Sequence, residues 1–168
     1  MSHSQSHSRI PASVITVSDR SSTGERPDES GPRAAQLLAE AGFEVGPVAV
    51  VPDGIGSVRT AITEALASGA RLVITSGGTG VSPRDLTPEA TRPLIVRELP
   101  GIAELLRREG EKHSRMAVLG RGLAGIAGDP PNALVINLPG SVRAVEQGLA
   151  VVAPLVPHLI DQLDGADH

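Results

Sequence analysis

After a polar opening, the chain alternates between short, β-branched apolar runs and longer stretches in which apolar residues return every third or fourth position. Residues 12–19 (ASVITVSD), 44–51 (EVGPVAVV), 71–76 (RLVITS) and 133–138 (ALVINL) read as strands, apolar enough to be buried on both faces. Between them, Ala34, Leu37, Leu38 and Ala41 share one helical face, as do Val58, Ile62 and Leu66, then Leu94 and Ile95, then Ile102, Leu105 and Leu106. Val142, Val145, Leu149 and Val152 repeat the spacing near the C-terminus. Strands alternating with helices at short connecting distances predict parallel strands joined by right-handed crossovers. The expected fold class is therefore α/β, a three-layer doubly wound, mostly parallel sheet with helices on both faces. In residues 114–137 two apolar runs flank "GDPPN", which reads as a hairpin turn and predicts a short antiparallel β element.

Composition narrows the function. With 168 residues, 40% of them hydrophobic, the chain suits one domain with a real core; residues 10–168 are expected to form it, after a disordered tail over residues 1–9. His3 and His7 sit in that tail and read as part of a mobile terminus rather than as metal ligands. A net charge of −4, one Phe and no Tyr or Trp speak against a nucleic-acid surface, which needs a basic face or stacking rings. The absence of Cys excludes disulfides and thiolate metal sites. The opening "MSHSQSHSR" has no apolar core and no later run is long enough to span a bilayer, so a cytoplasmic protein with a small-molecule partner is expected.

In an open α/β sheet, ligands bind beyond the carboxyl ends of the strands. Four loops should open there: "SDRSSTGERPDESG", "PDG", "GGTGVSPRD" and "PGS". They bring Asp19, Asp28, Ser30, Asp53, the Gly77–Gly80 loop, Asp85 and Ser141 toward one site. Glycines let backbone amides approach a phosphate, and Thr87 as N-cap with Pro88 at the first helical position would start a helix behind them. "GGTG" matches neither a Walker loop nor a dinucleotide fingerprint, and by itself reads equally as a tight strand-to-helix turn. Asp85 adds to it: phosphates and a carboxylate share a pocket when a divalent cation lies between them, and Mg²⁺ typically takes one or two carboxylates plus substrate phosphates. Asp53 reads either as a second such acid or as a turn residue capping its own backbone. Ser30 reads as the cap of the following helix, with Asp28 open. Arg20 and Arg84 are candidate anion contacts or partners of nearby carboxylates, whereas Lys112 and His113 read as the solvated end of a helix.

Three motifs in order, "VSDRSSTGERPDESGP", "TSGGTGVSPRDLTPEAT" and "INLPGS", resemble the molybdopterin-binding domain of the Mog/MoaB type, bacterial relatives of the gephyrin G domain. The resemblance runs from about Val14 to the last helix. It implies Mg²⁺-ATP-dependent adenylylation of molybdopterin, a step of molybdenum cofactor biosynthesis that releases pyrophosphate. It implies that Asp53 and Asp85 are the functional acids and metal ligands, and that Ser76, Gly77, Gly78, Thr79, Gly80 and Arg84 join Pro139, Gly140 and Ser141 in holding substrate. Asp19, Ser22, Asp28 and Ser30 are the polar groups expected to hold the pterin. It further implies a homotrimer or hexamer and a molybdenum-insertion protein as downstream partner. "GDPPN" departs from the family's shorter turn, with pterin contacts or the oligomer surface as the features it would alter. The alternatives are a non-catalytic molybdopterin carrier and an oligomerising scaffold; the full set of acids argues against the first, and the lack of a long linker against the second.

Overall fold

The computed structural model describes residues 9–166, so His3, His7 and nearly all of the expected tail lie outside the described residues. Strands β1 (Pro11–Val17), β2 (Glu44–Val45), β3 (Ala49–Val51), β4 (Leu72–Ser76), β5 (Ile95–Glu98), β6 (Ala124–Ala127) and β7 (Ala133–Leu138) form one seven-stranded sheet. The order is β2-β1-β4-β7-β6-β5, with β3 also pairing β1. β1 runs parallel to β2, β3 and β4, and β4 parallel to β7, whereas β6 is antiparallel to both β5 and β7. The helices are α1 (Asp19–Ser22), α2 (Ser30–Glu40), α3 (Ile55–Ala67), α4 (Thr87–Thr91), α5 (Pro100–Glu111), α6 (Val142–Val152) and α7 (Val156–Leu163).

Because successive strand side chains point to opposite faces, the central strands feed two cores. Val14, Leu72, Ile74, Leu134, Ile136 and Leu138 pack with Leu38 of α2, Val145 and Leu149 of α6 and Ile160 of α7. Ile15, Val17, Val73 and Val135 pack on the other side with Val58, Ile62 and Ala65 of α3 and Ala90 of α4. Every residue of β4 and β7 is buried, which suits their mostly apolar sequence, the polar Thr75, Ser76 and Asn137 lying toward the carboxyl ends. The doubly wound sheet and the β6–β7 hairpin agree with the sequence pattern.

Some elements differ from expectation. The run over residues 44–51 is not one buried strand: Pro47 has no N–H to donate, the pairing breaks around it, and the two short pieces lie exposed at the edge of β1. Ala41 falls just beyond α2 and is exposed. Leu94 and Ile95 do not share a helix, because Leu94 closes a single 3-10 turn containing Pro93 and the β-branched pair Ile95-Val96 opens the edge strand β5. The "GDPPN" turn, with a cis Asp129–Pro130 bond, precedes β7 and so lies at the end of the sheet opposite the carboxyl-end loops. It cannot alter contacts made there. No helix among the described residues is long and apolar enough to cross a membrane.

From β1 the chain passes over α2 to β3 on one side, then over α3 to β4 on the other. The strand order therefore reverses between β1 and β4, and such a switch point opens a crevice at the strands' carboxyl ends.

Candidate functional site

The loop after β4 is built on close backbone approach. Gly77 (φ +111°) and Gly78 (φ +67°) adopt conformations that L side chains rarely take. A Cβ on Gly77 would overlap the carbonyl of Val17 at the end of β1, and one on Gly78 would overlap Oγ1 of Thr87 and crowd Oδ1 of Asp53. Thr87 is not the N-cap expected: Leu86 holds that position, and the Thr87 hydroxyl donates instead to the Gly77 carbonyl (2.9 Å) while its N–H donates to that of Gly78 (3.1 Å). Fully buried, Thr87 serves as a clip on the glycine turn, and the five-residue α4 behind it is too short to contribute a substantial dipole.

The cap expected of Ser30 is supplied by Asp28, whose role the sequence left open. Asp28 Oδ1 accepts from the N–H of Gly31 (3.1 Å) and its Oδ2 from the hydroxyl of Thr16 (2.8 Å), so Asp28 caps α2. Ser30 is buried and shares a hydrogen bond with Ser76 across the strand ends (3.0 Å), and the Ser76 hydroxyl also donates to the Pro139 carbonyl (3.1 Å).

Asp19 and Asp53 form a reciprocal clamp: the Asp19 N–H donates to Asp53 Oδ2 (3.0 Å) and the Asp53 N–H to Asp19 Oδ1 (3.1 Å). Asp53 therefore does not cap its own turn. Arg84 grips Asp19 bidentately (2.6 and 2.9 Å) and donates to the Asp53 carbonyl (3.0 Å), choosing a carboxylate over a free anion-binding role. That grip lowers the pKa of Asp19. Burial, opposed by the Asp19 N–H and reinforced by the charges of Asp19 and Asp85, pushes Asp53 up. Asp85 Oδ2 accepts from the Ser82 N–H (3.0 Å), closing its own turn.

Among the described residues, no set of three or more His, Asp or Glu side chains is arranged to hold a metal. The donor chemistry still fits Mg²⁺ shared with a substrate. Asp53 and Asp85 each keep Oδ1 outside the hydrogen bonds described above, and the repulsion Asp53 feels from Asp85 is what a cation between them would relieve.

These loops border a cleft of about 1250 Å³. Asp28, Ser30, Asp53, Ser76, Gly77, Gly78, Thr79, Gly80, Asp85, Pro139, Gly140 and Ser141 all line it, as the sequence predicts. Asp19, Ser22 and Arg84 do not: Asp19 is spent on Arg84 and Asp53, and the Ser22 hydroxyl donates to the Asp19 carbonyl (2.8 Å). Ser141 also caps α6 through the Ala144 N–H (3.0 Å).

The sequence reading missed the far wall, where Leu106, His113, Met116 and Leu119 continue the cleft; His113 thus faces it rather than marking only a solvated helix end. It also missed Arg121, whose guanidinium pairs with Glu89 and donates to the carbonyls of Gly80 (2.8 Å) and Asp85 (2.7 Å). One signal was available: Arg121 lies between two glycines in an apolar stretch with no acid within a helical turn, so its partner had to be distant.

Residues 13–158 match the family described as a probable molybdopterin binding domain. The chain belongs to this family. It is 42% identical over 149 residues to a protein of Pyrococcus furiosus named molybdopterin adenylyltransferase, covering 88% of this chain and 87% of that one. It is 41% identical over 157 residues to a molybdenum cofactor biosynthesis bifunctional protein of Synechococcus elongatus, covering 94% of this chain but only 48% of that one, so it spans about half of that relative's length. Among solved structures, a molybdopterin biosynthesis protein from Mycobacterium abscessus superposes with a TM-score of 0.86 at 45% identity, over 92% of this chain and 96% of that one. The doubly wound sheet described above is thus the fold this chain shares with that solved structure.

Proposed function

We propose that this chain is a molybdopterin adenylyltransferase of molybdenum cofactor biosynthesis, transferring the adenylyl group of ATP to the terminal phosphate of molybdopterin and releasing pyrophosphate. The observation that carries the reading is the pair Asp53 and Asp85, both lining the cleft beside the Gly77–Gly80 loop, with the charge of Asp85 adding to the burial that pushes Asp53 up. A pterin phosphate oxygen attacks the α-phosphorus of ATP, the bond to the β-phosphate oxygen breaks, and pyrophosphate leaves with that electron pair. Asp53 and Asp85 would hold Mg²⁺, which when bound neutralises charge on the departing pyrophosphate. The Gly77–Gly80 loop lines the cleft as the wall against which phosphate groups would lie, and the Ser30–Ser76 pair offers hydroxyls to the pterin side. Catalysis then rests on positioning and charge stabilisation, with no covalent enzyme intermediate.

Incubating the protein with molybdopterin, ATP and Mg²⁺ while following pyrophosphate tests the reading. Release that depends on both substrates and stops with excess chelator is expected. Molybdopterin binding without any pyrophosphate release would replace it with the carrier reading.

A further inference from the structure

Building on the adenylyl-transfer reading, we propose that Arg121 is a positioning residue that fixes the Gly80–Asp85 turn, and through it the carboxylate of Asp85, without touching substrate. Neither Arg121 nor Glu89 lines the cleft, although the neighbours Gly120 and Gly122 do. From behind the cleft wall Arg121 holds both ends of the turn: its N–H donates to the Thr79 carbonyl (2.9 Å), Nε to that of Gly80 (2.8 Å) and Nη2 to that of Asp85 (2.7 Å). Glu89 on α4 holds the other side of the guanidinium through both carboxylate oxygens. Residues 81–84, between the two anchored carbonyls, are exposed, and their tie beyond the turn is the Arg84 side chain on Asp19 and the Asp53 carbonyl. Without Arg121 the turn would keep its internal bonds between Ser82 and Asp85 and the exposed Arg84 side chain on Asp19, but would lose the bonds that hold its main chain at Gly80 and Asp85. The planar fork suits this task, since three acceptors in different directions are satisfied at once, which a lysine ammonium on a flexible stem cannot reproduce.

The test compares Arg121→Ala, Arg121→Lys and Glu89→Gln with the wild type in Mg²⁺ titrations of pyrophosphate release, together with calorimetric binding of Mg²⁺-ATP and fluorescence-detected binding of molybdopterin. Arg121→Ala is expected to lose about 10- to 100-fold in turnover and to require more Mg²⁺ for half activation, as removal of a metal ligand's supporting partner does. Molybdopterin affinity should stay at the wild-type value. Arg121→Lys should fail to rescue, and Glu89→Gln should fall between. If Arg121→Ala does not fold, Arg121→Lys and Glu89→Gln carry the same comparison. Lower melting temperatures with an unchanged Mg²⁺ requirement, or a Lys variant equal to wild type, would reduce Arg121 to a structural strut and overturn the proposal. Should the wild type release no pyrophosphate, the adenylyl-transfer reading fails separately. Mg²⁺-ATP binding then decides: weaker binding in the variants upholds Arg121 as the loop's positioning residue, and equal binding removes it.

Discussion

The two ends of the same parallel strands are organised on opposite terms. At the amino end, Arg71 just before β4 donates to the Asn132 carbonyl (2.6 Å) and to Asp164 (2.7 Å), while its backbone ties to Pro11 and Leu134. One cation meets one anion and every bond closes the sheet. At the carboxyl end, Arg84 is spent on Asp19, burial together with the charges of Asp19 and Asp85 pushes Asp53 up, and two consecutive glycines hold positive φ against Val17 and Thr87. Such an arrangement costs stability and becomes favourable when a cation or a ligand bearing one enters. The contrast separates the end that holds the fold together from the end to which the proposed chemistry is assigned.

The strongest way to break this contrast is Asp85→Ala. If Asp85 acts on the metal, turnover should fall roughly 100-fold, the usual scale for losing one preorganised charge-stabilising group. Molybdopterin binding should persist, and the melting temperature should change little because the lost bond to Ser82 lies on an exposed turn. Near-wild-type pyrophosphate release by the folded variant would move the chemistry away from this loop.

Asp53→Asn tests the cost itself. A carboxyl whose folded pKa is raised contributes stability below its unfolded pKa and loses it as pH rises through the folded value, so at neutral pH wild-type Asp53 is a burden on the fold. Asn removes the charge and can still accept the Asp19 N–H. The variant should therefore melt at or above the wild-type temperature at pH 7, with the difference shrinking as pH falls through the carboxylate range, while turnover drops. Thermal melts across that range check it; a variant that is less stable at pH 7 would mean that Asp53 serves the fold.

How much of this was legible follows from where each signal resides. The buried strands β4 and β7 announce themselves because burial on both faces demands a mostly apolar sequence, and the glycine loop because only Gly permits its backbone. Edge elements were harder. β5 and the split pair β2 and β3 are short and exposed, so no burial pattern marks them. Within the site, the residue types were readable but their partners were not: Asp28 rather than Ser30 meets the first amides of α2 because either can cap a helix, and Thr87 turned inward because a glycine carbonyl waited ten residues back. Arg84 found Asp19 at a separation of 65 residues, and Arg121 found Gly80 at 41. Such pairings are set by the topology of the sheet, which no local spacing encodes.

The smallest expected effect sharpens the comparison from its quiet side. Asp164→Ala removes the carboxylate from Arg71 at the amino end, where Asp164 is 57% exposed and solvent screens the pair. A bridge of this kind contributes about 0.2–1 kcal/mol, and Arg71 keeps its bond to the Asn132 carbonyl. The melting temperature should fall by no more than about 4 °C for a domain of this size. Added salt should narrow the gap between variant and wild type, since it already screens the pair that the variant lacks. Turnover, the Mg²⁺ requirement and molybdopterin affinity should all stay at wild-type values, because β4 separates Arg71 from the glycine loop by five residues, roughly 16 Å of extended chain. A variant with normal stability but an altered Mg²⁺ requirement would show that the two ends communicate along β4, and the division between a structural and a chemical end would then have to give way to a single coupled unit.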